Sequence, residues 1–419
     1  MADNRIGAAK KTIREIVRRI RQAGTVVCHR CRYIWNRYCK DSRKRSIRNK
    51  AKVQMNRIAV MTNTGTYTCN PKYIVEEIIR RKLPYEIAWI LDDPKKGKDY
   101  PTGTRMLRLH SDECLKYVYS ARIWLDNGIA FSNYFERRDD QLHIQTMHGS
   151  LGIKKLDNAV LGRNRRGREG QLVVQRESEL TDYVITNSVF EENVFRGVFW
   201  KNTPMVRLGH ARTDVLFSKD SEMQGLIRKR LQKEFGVPLD HKLVLYGPTH
   251  RRGLTAEDLI TDYSSLTQAL EQRFGGKYSV LLRLHPRTKN LFEGRSRLSH
   301  VFDVTSYPDI QELMLVSDVG ITDYSSWIFD YVLTNKPGFI YASDQERYEN
   351  RTGLCYPLTD TPFPVSSTFE ELCEQIRAFS EEKYIQLVEA FLEKKGSVDD
   401  GHAAERIVKW IEQLAPISE

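Results

Sequence analysis

The sequence predicts an α/β protein: two Rossmann-like domains facing across a cleft, with a basic helical appendage at the N-terminus. Three observations carry this reading. From residue 57 onward, short apolar, β-branched runs alternate with helical stretches. The alternation restarts after a long charged helix at about 220–235. Charge is concentrated before both series: Met1 to Arg57 holds 18 Lys/Arg against 3 Asp/Glu, a net +15, which leaves the other 362 residues at −3 within a total of +12. The chain therefore divides into an appendage (1–56), a first domain (57–219) and a second domain (220–419).

In the appendage, Ile13, Ile16, Val17 and Ile20 share one helical face among Lys10, Lys11, Arg14, Arg18, Arg19 and Arg21. Residues 25–39 mix Tyr33, Ile34, Trp35 and Tyr38 with Arg30, Arg32 and Arg37, and a cationic tract from Arg43 to Lys50 follows. Basic amphipathic helices with Trp and Tyr suit an anionic membrane surface. A nucleic-acid arm and a hairpin docked on its own protein remain open. Cys28-His29-Arg30-Cys31 has no second ligand pair at zinc spacing and reads as incidental. Seven scattered cysteines fit a reducing compartment. No run approaches the roughly 18 apolar residues of a membrane span, and the charged N-terminus lacks the apolar centre of a signal peptide.

The first domain places strands at Arg57–Met61, Glu86–Leu91, Arg122–Asp126, Leu142–Thr146, Tyr183–Thr186 and Val206–Gly209, with helices at 72–82, 111–120 and 188–198. Gly162 to Arg168 reads as a mobile cationic loop. The second domain places strands at Leu243–Tyr246, 278–284, 317–321 and 338–341. Its helices fall at 309–316, 325–335, 367–378, 382–394 and 402–414.

Chemistry gathers just after strands, where α/β sheets bind ligands. Gln145 to Ser150 presents His148 backed by Gly149, with Lys154 and Lys155 beyond. Histidine titrates in the range a general base needs, although a lone His is more often structural. Tyr246 to Gly253 offers a Gly-Pro turn with Arg251 and Arg252, charge for a phosphate or an exposed basic loop. Strand alternation puts Arg283 and His285 on one face, stopped by Pro286. Gly320 to Trp327 sets Asp323, Ser325 and Ser326 where a strand becomes a helix, suited to a phosphate or to plain capping. Together these strand ends describe a nucleotide-diphosphate site. The Gly-x-Gly-x-x-Gly and P-loop patterns are absent. Asp92-Asp93 and Asp139-Asp140 lie in hydrophilic loops, so the expected transfer is metal-independent, with Arg and His neutralising the leaving diphosphate.

QTMHGSLGIKKL, YGPTHRRG, LLRLHPR and ITDYSSWIFDYVLTNKP, in this order, resemble the signature of the CDP-glycerol glycerophosphotransferase family. These are the teichoic acid primases and polymerases of Gram-positive bacteria and relatives that build capsular phosphate polymers. Gly209 to Asp214, Tyr341 to Tyr348 and Asp400 to Arg406 resemble its further segments, so the likeness covers roughly 57–412. It implies a GT-B fold and a reaction: an acceptor hydroxyl attacks the β-phosphate of CDP-glycerol and CMP leaves. By resemblance His148 is the base, Arg283 and His285 hold or protonate the diphosphate, and Ser325 and Ser326 bind it. Gly149, Thr249, Arg251 and Asp323 support the same substrate site. No cofactor or metal is implied. The acceptor is an undecaprenyl-diphosphate-linked glycan or polymer, which places the enzyme peripherally on the cytoplasmic face of the cell membrane. Lys154, Lys155, Arg163, Arg165 and Arg166 extend the basic surface towards that acceptor. No nucleic acid is expected, and a homo-oligomer stays open. CDP-ribitol would be served by the same motifs, and a sugar-nucleotide glycosyltransferase is the more distant alternative. The chain departs from many members in carrying Met147 where they have Trp.

Overall fold

The computed structural model describes residues 41–96, 99–155, 166–251, 254–255, 257–260, 262–285 and 300–417. The predicted appendage helices at 8–22 and 25–39 lie outside the described residues. So do Arg163 and Arg165.

Two parallel sheets form. The first contains β1 (Gln54–Met61), β2 (Glu86–Leu91), β3 (Arg105–Arg108), β4 (Ala121–Asp126), β5 (Leu142–Gln145), β6 (Tyr183–Thr186) and β7 (Met205–Arg207) in the order β3-β2-β1-β4-β5-β6-β7. The second contains β8 (Lys242–Tyr246), β9 (Tyr278–Leu282), β10 (Val301–Asp303), β11 (Val319–Thr322), β12 (Gly338–Tyr341) and β13 (Val365–Ser366), ordered β10-β9-β8-β11-β12-β13. Counted within its own sheet, each begins 3-2-1-4-5-6, the doubly wound order whose reversal point opens a crevice at the strand ends. Central strands are mostly apolar, as both faces are covered by helices: every residue of Tyr278–Leu282 and of Gly338–Tyr341 is buried.

The domain boundary drawn at residue 219/220 needs correction at the C-terminus. The helix Ala403–Leu414 buries Ala403, Ala404, Ile407, Val408 and Ile411 in the core of the first sheet, beside Ile58, Val60, Ile74 and Ile78. That stripe at helical spacing packs against the apolar flank of the helix Cys69–Arg80. Asp214 caps the returning helix, accepting from Ala403 N at 2.9 Å and Ala404 N at 2.7 Å. In the other direction, Leu151 and Ile153 leave the first domain and join the second domain's core.

The helix Asp41–Lys50, part of the cationic tract, docks on the first domain. Lys44 Nζ donates to Tyr134 O at 3.2 Å, Arg48 donates to the carbonyls of Glu136 and Arg137, and Ile47 packs against the core below. This stretch follows the reading of a helix held on its own protein. Among the described residues no helix is long and apolar enough to cross a membrane.

If the final helix belongs to the first domain's core, Ile407→Ala lowers global stability by about 2–5 kcal/mol. Denaturant unfolding checks this, and an unchanged midpoint contradicts the packing.

Candidate active site

At the end of β5 the chain turns sharply. Met147 adopts the left-handed region at φ 47°, which costs on the order of 1 kcal/mol or more for a residue with a side chain. Hydrogen bonds hold the turn. Met147 N donates to Gln145 Oε1 at 2.8 Å, and Asn70 Nδ2 donates to Thr146 O at 3.0 Å and Met147 O at 3.1 Å. Met147 stays buried while His148 is thrown out to the cleft.

His148 Nδ1 lies 2.7 Å from the backbone carbonyl of Asn127. A carbonyl can only accept, so Nδ1 carries the proton and Nε2 keeps its lone pair. Enclosure by the walls of the cleft holds the ring below the usual imidazole range. The charges of Arg212 and Lys154 push the same way, against the Asn127 hydrogen bond and Asp126. The solvent-exposed edge of the ring moderates the desolvation. A neutral imidazole with an open Nε2 is the state a general base requires.

The facing wall comes from the second domain. Beyond β11, buried Asp323 accepts from Thr249 N at 2.8 Å, Tyr324 N at 2.6 Å and Arg251 Nη1. Arg251 also grips Asp344 through Nε and Nη2 at 2.8 and 2.7 Å, donates to Thr249 O at 3.0 Å, and lies over the Tyr324 ring. Tyr324 stacks on Tyr348, with centroids 3.7 Å apart. Burial alone would raise the Asp344 carboxyl, but Arg251 holds it below the usual carboxylate range. Two carboxylates thus occupy the Arg251 guanidinium, which ties together the turn that presents Ser325 and Ser326.

The helix expected over 325–335 is also shorter. One α-turn, Ile328–Tyr331, passes into the 3₁₀ turn Val332–Thr334 and stops at Asn335 with φ 55°. So short an element has little macrodipole to offer. Its entry is fixed by Trp327, whose Nε1 donates to Gly247 O at 3.0 Å. A Cβ on Gly247 would lie 2.8 Å from that nitrogen, so the turn after β8 needs glycine there.

The two walls enclose a cavity of about 190 Å³, lined by His148, Gly149, Ser150, Lys154, Ser325 and Ser326 among others. Close approach depends on Gly152, where an added Cβ would sit 3.0 Å from Ser326 Cβ. The crossing segment is stitched to the second domain by Cys355 N donating to Ile153 O at 2.6 Å and by the Lys154–Leu354 bridge. Burial lowers the Lys154 ammonium, and Asp323 counters.

Beneath this floor lies Arg212, 2% exposed. Its Nε and Nη2 reach Asp330 at 2.8 and 3.2 Å, and Nη2 also donates to Gly149 O at 2.6 Å. One side chain of the first domain thus holds the short helix after Ser326 and the loop of His148 together.

The remaining expected residues divide. Thr249 is buried behind Asp323, and its Oγ1 has no partner among the described residues. β9 ends at Leu282, short of the strand expected to 284; beyond it Arg283 is half-buried, Leu284 buried in the core and His285 exposed. Arg283 Nη1 donates to Tyr307 O at 2.7 Å. His285 is exposed and stacks on His250, centroids 4.7 Å apart. Neither lines the cavity beside His148. Lys155 is exposed, its backbone N donating to Gly353 O at 3.3 Å. Arg166 opens the helix Arg166–Leu180, where a mobile loop was expected. Sequence reasoning gave no role to Asn127, Gln145 or Asp330. For Asp330 a signal existed, a lone carboxylate inside the apolar run Trp327–Leu333.

A family model described as CDP-glycerol:poly(glycerophosphate) glycerophosphotransferase matches residues 45–413. The chain belongs to this family. It is 28% identical over 355 residues to a teichoic acid poly(glycerol phosphate) polymerase of Staphylococcus epidermidis, which covers 81% of this chain and 48% of that protein. It therefore spans about half the length of that relative. A polymerase of the same description from Bacillus spizizenii is 26% identical over 82% of this chain and 88% of its own length. Among solved structures, the wall teichoic acid polymerase TagF soaked with CDPG superposes with a TM-score of 0.78 at 26% identity, covering 92% of this chain and 96% of that one.

Asp330→Asn leaves the Arg212 charge buried with a weakened partner, and the expected loss is about 3–5 kcal/mol. Chemical denaturation measures it. The double variant Arg212→Met/Asp330→Leu recovers most of the loss, whereas additive losses contradict the pairing.

Proposed function

We propose that this protein transfers glycerol phosphate from CDP-glycerol to a hydroxyl of a lipid-linked glycan or growing polyol phosphate chain, in teichoic acid or capsular polymer synthesis. One observation carries the reading: the open Nε2 of His148 and the hydroxyls of Ser325 and Ser326 line one cavity from opposite domains. The acceptor oxygen gives its proton to Nε2 and bonds to the β-phosphorus. The bond from that phosphorus to the bridging oxygen breaks, and CMP leaves with the electron pair. Ser325, Ser326 and the Lys154 ammonium hold the diphosphate, with Thr249 Oγ1 behind them. Arg283 and His285, at the neighbouring strand end, are assigned to the departing CMP. Phosphoryl transfer rests on such positioning and charge stabilisation. As proposed, the transfer uses no metal, so turnover persists in EDTA.

His148→Ala lowers kcat by about 10²- to 10⁴-fold and leaves CDP-glycerol binding measurable. Loss of donor binding instead makes His148 a ligand contact. Protonation would occupy Nε2, so kcat/KM falls as pH drops, with its acid limb below the ordinary imidazole value of 6.5. An acid limb above that value contradicts the neutral base. A screen of CDP-glycerol, CDP-ribitol and UDP-sugars, read by nucleotide release with a prenyl-diphosphate acceptor analogue, decides the donor. Turnover with UDP-sugars alone overturns the reading.

We further propose that the chain works at the cytoplasmic face of a membrane, docked by its first 40 residues. Because Asp41–Lys50 is held on the protein itself, support for docking comes from the basic, Trp- and Tyr-bearing sequence before it. Deleting residues 1–40 should abolish sedimentation with anionic vesicles and spare turnover of a soluble acceptor. Unchanged sedimentation contradicts this.

A further inference from the structure

We propose that Gln145 is a positioning residue that sets the tautomer and reach of His148; the inference rests on the reading of His148 as the base. Gln145 is fully buried and ties two loops together. Its Nε2 donates to Gly128 O and to Glu177 Oε1, the latter at 2.8 Å, while its Oε1 accepts from Met147 N at 2.8 Å. One amide therefore clamps the residue after Asn127 and the residue before His148.

Both clamped points matter to the imidazole. Asn127 O is the acceptor that selects the Nδ1–H form. The loop that carries it is gathered by the Asp126 carboxylate, which accepts from the amides of Gly128, Ala130 and Phe131. Asn127 Oδ1 accepts from Asn63 N at 2.8 Å. The left-handed Met147 needs a partner for its amide, and Gln145 supplies it. A neutral imidazole can hold its proton on either nitrogen, but the Nε2–H form has no lone pair to offer an acceptor hydroxyl. Gln145 reaches no substrate itself; it acts through the two loops.

The test uses the full chain with ¹⁵N-labelled histidine. Gln145→Met keeps length and bulk and removes all three hydrogen bonds. In the unsubstituted protein the His148 ring resonances should report protonated Nδ1, and in Gln145→Met a mixture of the two tautomers. With that change kcat should fall at least ~10-fold while KM for the CDP donor stays within about twofold. Should Gln145→Met fail to fold by thermal melting, Gln145→Asn carries the same test, since its shorter amide cannot span both loops. A folded variant that keeps the Nδ1–H form overturns the inference, whether kcat is retained or lost through packing alone. So does an Nε2–H ring in the unsubstituted protein. Absence of transfer by the unsubstituted protein defeats the functional reading instead, and the ring spectra still decide this one.

Discussion

The guanidinium of Arg212 is the constraint to which both walls of the cleft answer. Taking such a charge out of water costs several kcal/mol unless its partners are well placed. Here they come from Asp330 in the second domain and from Gly149 O beside His148. Its backbone N donates to Asn70 Oδ1 at 3.1 Å, and the same Asn70 side chain holds the carbonyls of Thr146 and Met147. Moving the domains apart would strand a buried cation directly beside the His148 turn. Asp399, which accepts from Asn187, His210 and Thr213, makes a second polar clasp from the C-terminal segment onto the first domain. The cleft is thus assembled by pairing charges that neither domain could bury alone.

How much of this is legible in a sequence follows from burial. The central strands β1, β2, β4, β8, β9, β11 and β12 announce themselves because both faces are covered and their residues are apolar in continuous runs. The three strands without such a run, β3, β10 and β13, are all edge strands, and β3 buries only Leu107. With one edge unpaired and few positions in a core, they carry no pattern to read. The helix Tyr263–Phe274 was likewise unannounced, yet a right-handed parallel crossover from β8 to β9 requires an element there. The final helix was legible as a helix but not in its destination. A chain that returns to the other domain obeys no local rule.

Within the site, sequence located groups better than it assigned their partners. Position at strand ends was enough to gather His148, Gly149, Lys154, Ser325 and Ser326, because parallel sheets present their loops at one end. It could not tell that Arg251 would meet two carboxylates, one of them 93 residues away in Asp344. Nor could it foresee that Asn127 would orient the His148 ring, since the contact is to a backbone carbonyl and any residue type supplies one. Met147, the departure from the family pattern, lies at the one position of this turn where a side chain is held at positive φ.

The pairing of Arg212, Arg251 and Lys72 with carboxylates has a consequence for recognition. Lys72 Nζ is held by Asp309 at 2.6 Å and Glu312 at 2.9 Å, across the two domains. With these cations committed to the framework, Lys154 is the basic side chain that lines the cavity beside His148 among the described residues. Burial lowers its affinity for a proton and Asp323 counters, so the diphosphate of the proposed reaction would offset part of that desolvation. The same pairs that close the two domains thus leave Lys154 as the basic side chain beside His148 for the diphosphate of the proposed reaction.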